Sequence, residues 1–156
     1  MEMTPYRRLD AMGLQLPPAP APAANYVPFT LEHEFLFVAG QLPYGAGGAI
    51  LHPGRLGETV TLDQARAAAR QCALNLLAQA HAALGDLGRI KQVMRVNGFV
   101  CVSQDFHDMP AVLDGASNLL YEVLGDPGRH SRVAVGVYSL PRNSCIEVDA
   151  VMAVHA

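Results

Sequence analysis

The stretch TLDQARAAARQCALNLLAQAHAALG, residues 61–85, leaves the chain little conformational choice. Thr61 and Gln64 make a capping box: the hydroxyl accepts from the Gln64 N–H, and the Gln64 side chain reaches back. Asp63 complements the positive helix end. Gly85 supplies the stop. These signals predict a helix through Leu84. Ala65, Ala69, Cys72, Leu76 and Ala80 recur at helical spacing, widened by Leu62, Leu74, Leu77 and Leu84. A face of such small side chains can lie close on a sheet.

The rest of the chain supplies that sheet. EFLFVA (34–39) reads as a buried strand ended by Gly40, and AILHPGRLG (49–57) as a short second strand and loop. Residues 93–102 read as a central strand, and 132–139 and 145–154 as two more. Asp108 caps a second helix with Pro110 in its first turn; Val112, Leu113, Ala116, Leu120, Val123 and Leu124 form its apolar face. Gly125-Asp126-Pro127-Gly128 ends it. A short helix is expected within 1–12, followed by LQLPPAPAPAANYVPF (14–29), whose prolines favour extended backbone. The order implies an α+β domain: one mixed sheet with both helices on one face.

In the last strand Ile146, Val148, Ala150, Met152 and Val154 share one face, and Glu147, Asp149, Val151 and Ala153 the other. The helices cover one face only, so the second calls for assembly. A charged fraction of 16% points the same way. The 156 residues, 51% of them hydrophobic, suit a single domain. Net charge is −3 and Lys91 is the only lysine, which gives no footprint for nucleic acid. Cys72, Cys101 and Cys145 sit among apolar neighbours without a CxxC, as buried reduced thiols do. The N-terminus has no apolar core of a signal peptide, and no stretch is long and apolar enough to span a membrane. A soluble cytoplasmic protein is the expectation. The six histidines make no metal-ligand spacing, so no metal is expected.

RVAVGVYSLP (132–141) carries the clearest chemical feature. Strand alternation sets Arg132, Ala134 and Gly136 on one face, so two small residues leave a recess beside a guanidinium. That arrangement suits a small carboxylate; equally, a strand-end arginine can reach water or pair with a surface acid. Glu147 can serve as a general base or water holder, or stand as an exposed carboxylate. If the last two strands form a hairpin turning near Arg142-Asn143, Arg132 and Glu147 lie roughly 16 Å apart. One small substrate then touches both only when a neighbouring subunit supplies one of them.

Arg132, Leu140-Pro141 and Ile146-Glu147-Val148-Asp149-Ala150 together resemble the C-terminal signature of the reactive-intermediate (imine/enamine) deaminases, labelled YjgF-like or endoribonuclease L-PSP. Gly40-Gln41-Leu42-Pro43, Asn118 with Tyr121, and Asn25-Tyr26 are similar to further motifs of that family, in the same order along the chain. The resemblance spans about residues 25–154, with 1–24 as an N-terminal extension of a single domain covering 1–156. It implies a chorismate-mutase-like fold whose sheets pack as a homotrimer around a central barrel, with sites between chains. It implies cofactor-free hydrolysis of 2-imino acids and 2-aminoacrylate-type enamines to 2-oxo acids and ammonia. On that resemblance Arg132 holds the substrate carboxylate and Glu147 positions the water; Tyr26 and Asn118 shape the pocket, and Gly40 and Ala134 contact the ligand through backbone groups. A non-catalytic binder of small carboxylates is the alternative. An endoribonuclease or translation inhibitor fits the charge balance less well. The chain departs from the family pattern at Ala39, where serine is frequent, and at His130, where proline is.

Overall fold

The Thr61 capping box forms as its spacing predicts, with both reciprocal hydrogen bonds made, and Gly85 ends the helix in the left-handed conformation (φ 77°). The computed structural model describes residues 3–156. Chain order is α1 (Pro5–Ala11), β1 (Phe29–Glu32), β2 (Phe35–Gln41), α2 (Leu62–Leu84), β3 (Ile90–Cys101), α3 (Met109–Leu124), β4 (Ser131–Val137) and β5 (Ile146–Val154). The strands make one mixed sheet in the order β1-β2-β5-β3-β4. Only β3 and β4 run parallel; every other pair is antiparallel. The fold is that of the expected α+β class, with α1 as a third helix.

β5 lies mid-sheet, and its even-numbered residues are buried on the face that α2 covers. The α2 face of Ala65, Ala68, Ala69, Cys72, Ala73 and Leu76 is fully buried, as close packing of small side chains on a sheet requires. The other sheet face is open, with large apolar side chains beside Arg95, Asn97, Glu147 and Asp149. Phe35, Phe37 and Val135 are 44%, 49% and 37% exposed there. Among the described residues, no helix is long and apolar enough to cross a membrane.

Two expectations are corrected. Residues 49–57 form no strand, only the isolated bridges Tyr44–Ile50, Leu56–Val60 and Leu56–Val102. Gly54 and Gly57 there turn the backbone to φ 126° and 85°. The missing strand is β1, which pairs with β2 across a tight turn where His33 takes a positive φ of 52°. Nor are β4 and β5 hairpin partners. The connection through α3 gives β4 the crossover that a parallel neighbour needs, so β4 pairs with β3. β5 then takes the other edge of β3.

The two long helices meet at a backbone contact. A Cβ on Gly115 of α3 would stand 2.1 Å from the Arg66 carbonyl oxygen of α2. Helix propensity alone makes Gly→Ala stabilising by about 1 kcal/mol. The contact reverses the sign: Gly115→Ala is expected to destabilise by about 2–3 kcal/mol. Urea denaturation with an unchanged m-value checks this.

Candidate active site

Val38 pairs with Ala150 and Gln41 with Val148, so Ala39 and Gly40 together oppose Asp149 alone. This is a β-bulge, which bends β2 and re-aims its residues. A Cβ on Gly40 would stand 2.2 Å from Glu147 Oε1, so the carboxylate lies directly against the β2 backbone. Glu147, Gly40 and Tyr26 line one cavity of about 350 Å³, with Gln41, Tyr44 and Arg142. Pro20–Ala24 line it too. Three of the expected site residues therefore meet in one chain.

The cavity is built from α2. The Asn75 amide donates to the carbonyls of Leu42 and Tyr44 (3.0 and 3.1 Å), holding the loop that follows β2. Gln41 turns its amide back to the Ala39 carbonyl (2.9 Å) across the bulge. Burial raises the Glu147 carboxyl above its ordinary value, and the neighbouring Asp149 carboxylate adds to the shift. Burial raises Asp149 as well, opposed by a 2.7 Å hydrogen bond from Asn97 and by Arg95. A half-buried carboxylate so shifted can take a proton from water more readily than an ordinary one.

Arg132 lies elsewhere. It shares a row across the sheet with Val96 and Ala150, both buried under the helices. Glu147 shares a row with Phe99 and Val135 and points to the open face. The two rows are three residues apart and the strands two apart, roughly 14 Å between Cα atoms. β4 and β5 are not hairpin partners, and within one chain these side chains occupy opposite faces of the sheet.

The Arg132 guanidinium is engaged by α3. Nη1 lies 2.9 Å from Asp114 Oδ1 and donates to Ser117 Oγ (3.0 Å); Nη2 donates to the Pro110 carbonyl (3.3 Å). Asp114, Ser117, Asn118 and Tyr121 fall on one helical face, so Asn118 stands beside this cluster, exposed. Ala134 is half-buried and packs on the core. The expected recess at Gly136 is filled: a Cβ there would meet Val102 Cγ2 at 2.7 Å, with Met109 beyond. Asp114 and Ser117 were not singled out from sequence, although their helical spacing to Asn118 was available. Gln79, Tyr44, Arg142 and Pro20–Ala24 carry no such signal, because only tertiary packing brings them to Glu147.

His130 extends this cluster. Its Nδ1 contacts the Gly128 carbonyl at 2.7 Å, and a carbonyl only accepts, so Nδ1 carries the proton. Nε2 then accepts from the Ser117 hydroxyl (2.8 Å), which itself accepts from Arg132. Burial lowers the His130 pKa; the Gly128 hydrogen bond opposes this and the Arg132 charge reinforces it. A lowered folded value means that the unfolded chain binds more protons just below pH 6.5. His130 therefore withdraws stability as pH falls through that window. His130→Gln is expected to flatten the loss of thermal stability between about pH 7 and about pH 5, measured against wild type.

The cysteines are free and buried. Burial pushes the Cys145 thiol up to about 11 and raises Cys72 and Cys101. That disfavours a thiolate nucleophile.

A family model described as "YjgF/chorismate mutase-like, putative endoribonuclease" matches residues 6–153. The match runs through the proline-rich segment rather than starting after residue 24. Protein TCP17 of Trypanosoma cruzi is 45% identical over 145 residues, 92% of this chain and 90% of that protein. A crystal structure of the protein Atu1372, with unknown function, from Agrobacterium tumefaciens is 47% identical, covering 95% of this chain and 91% of that one at a TM-score of 0.89. Escherichia coli TdcF with bound serine shares the fold at 22% identity, covering 88% of this chain and 94% of that one (TM-score 0.64).

Proposed function

Because the chain belongs to the YjgF/chorismate mutase-like family, we propose that it hydrolyses 2-imino acids, and enamines that tautomerise to them, to 2-oxo acids and ammonia. The observation that carries this reading is Glu147: a half-buried carboxylate with a raised pKa, set against the Gly40 backbone in a cavity with Tyr26. Water attacks the imine carbon while Glu147 accepts its proton. The C–O bond forms and the C=N electron pair moves to nitrogen. Glu147 gives that proton to the nitrogen, which completes the carbinolamine; it then takes the hydroxyl proton and passes it to the amine, so that the C–N bond breaks and ammonia leaves as the carbonyl forms. The imine carbon is already electrophilic, so orientation and a fixed water supply much of the rate.

Arg132 holds the substrate carboxylate. It faces away from the Glu147 cavity in its own chain, so in this reading the arginine comes from a neighbouring subunit. The open face with Phe35, Phe37 and Val135 is the surface that three copies bury against one another. Asn118 and Ala134 accompany Arg132 in that cleft, whereas Tyr26 and Gly40 accompany Glu147. Serine, the molecule in the TdcF structure, is itself a small carboxylate.

The test generates imino acids in situ with an amino-acid oxidase and follows 2-oxo acid release in a cofactor-free buffer. Added protein is expected to accelerate release. A folded protein that accelerates none of a broad panel overturns the reading.

A further inference from the structure

The cavity around Glu147 has one wall that a water-positioning site does not need. Pro20, Ala21, Pro22, Ala23 and Ala24 line it together with Pro28. Their side chains present only carbon, so this wall offers no side-chain partner to a charge.

The wall is built in place. Gln79, 1% exposed, donates its amide to the Pro20 carbonyl at 2.6 Å, and Gln41 Oε1 lies 3.4 Å from the same nitrogen. Upstream, Leu14 and Leu16 pack on the core and Leu9 is buried in it. The Tyr6 hydroxyl accepts from the Leu87 N–H (2.9 Å) and donates to His81 Nδ1 (2.8 Å). Downstream, the Pro28 carbonyl accepts from the Ala39 N–H (2.9 Å), at the bulge itself. The segment is thus tied down on both sides of the cavity, and its prolines limit how far it can give.

Size points the same way. At ~30 Å³ for each water-sized group, the smallest 2-imino acid fills about half of a 350 Å³ space. The reacting end belongs against Glu147 and Gly40. What remains faces the Pro20–Ala24 wall. Arg142, the cavity's cation, lies 6.0 Å over the Tyr44 ring, on the loop that enters β5.

We propose that Pro20–Ala24 form a side-chain subsite, which selects 2-imino and 2-oxo acids with a branched or extended uncharged side chain over three-carbon and dicarboxylic ones. For turnover this rests on the deaminase reading above; for binding it does not.

The experiment is calorimetric titration of the full-length protein with 4-methyl-2-oxopentanoate, pyruvate and 2-oxoglutarate, in wild type and in Ala23→Asp. Ala23 is exposed, so the variant is expected to fold. Wild type is expected to bind 4-methyl-2-oxopentanoate at least tenfold tighter than the other two. Ala23→Asp should weaken that acid at least tenfold more than pyruvate. Gln79→Leu, which frees the Pro20 carbonyl, should narrow the same preference. Turnover of the matching imines is measured in parallel. A preference that responds to Ala23→Asp without any turnover sinks the deaminase reading and leaves the subsite standing. Equal affinities in wild type, no binding of any of the three, or a preference untouched by Ala23→Asp overturns the subsite.

Discussion

Arg132→Ala is expected to lower kcat/KM for 2-imino acid hydrolysis by about 10²–10⁴, with the protein still folded. The magnitude follows from the interaction removed. A guanidinium gripping a carboxylate makes two charge-assisted hydrogen bonds, each about 1.5–3 kcal/mol. In the structure Asp114, Ser117 and the Pro110 carbonyl hold the group ready. That preorganisation reduces what the substrate must spend on ordering it. The stability cost is small, about 1 kcal/mol or less, because the ion pair with Asp114 is partly exposed. Arg132→Lys keeps the charge but loses the planar fork, so it should recover only part of the activity. Steady-state kinetics on imino acids released by an oxidase, with circular dichroism to confirm folding, reads both. A folded Arg132→Ala protein within threefold of wild type removes Arg132 from the site.

Glu147→Gln should reduce kcat by a similar factor, about 10²–10⁴, the usual worth of a positioned general base. Glutamine keeps the shape against Gly40 and loses only the ability to take a proton. The pH profile separates this from a structural role. Protonated Glu147 cannot accept from water, so wild-type activity should fall as pH drops through its pKa. Burial and Asp149 raise that pKa above the ordinary value of 4.5, so the acid limb should lie above it too, and Glu147→Gln should lack it. Stability should move the opposite way. With a raised pKa the folded state holds more protons than the unfolded one just above pH 4.5, so stability falls as pH rises through that window. The variant escapes this loss and should melt no lower than wild type at neutral pH. An acid that weakens the fold it serves is the usual trade at a functional site. Unchanged kcat in Glu147→Gln rejects the assigned role.

Elements whose signals are local were legible. The Thr61 box, the Gly85 stop, the Asp108 cap and the strict alternation of Ile146–Val154 each bear on residues within a few positions of one another. Glu147 stood out from its place in the last strand, and Tyr26 and Gly40 from a family resemblance; the structure sets all three on one cavity. Strand pairing was not legible. Ser131–Val137 reads the same whether its neighbour is β5 or β3, and only the α3 crossover gives it β3. β1 was missed: only Phe29 fell in the proline-rich stretch marked as extended, and residues 30–32 carried no strand signal of their own.

Gly115 and Gly136 show the same divide. As letters they are a weak helix former and half of a recess; in space one admits the Arg66 carbonyl and the other is filled by Val102. The chain by itself determined its helices, their ends, its buried strand face and the motif residues, because caps, periodicity and small-residue faces act over one or two turns. Tertiary structure alone decided that β3 separates β4 from β5, that Arg132 and Glu147 face opposite sides, and that a proline-rich segment walls the Glu147 cavity. Those outcomes depend on which distant surfaces bury each other, and burial is a property of the whole packed chain.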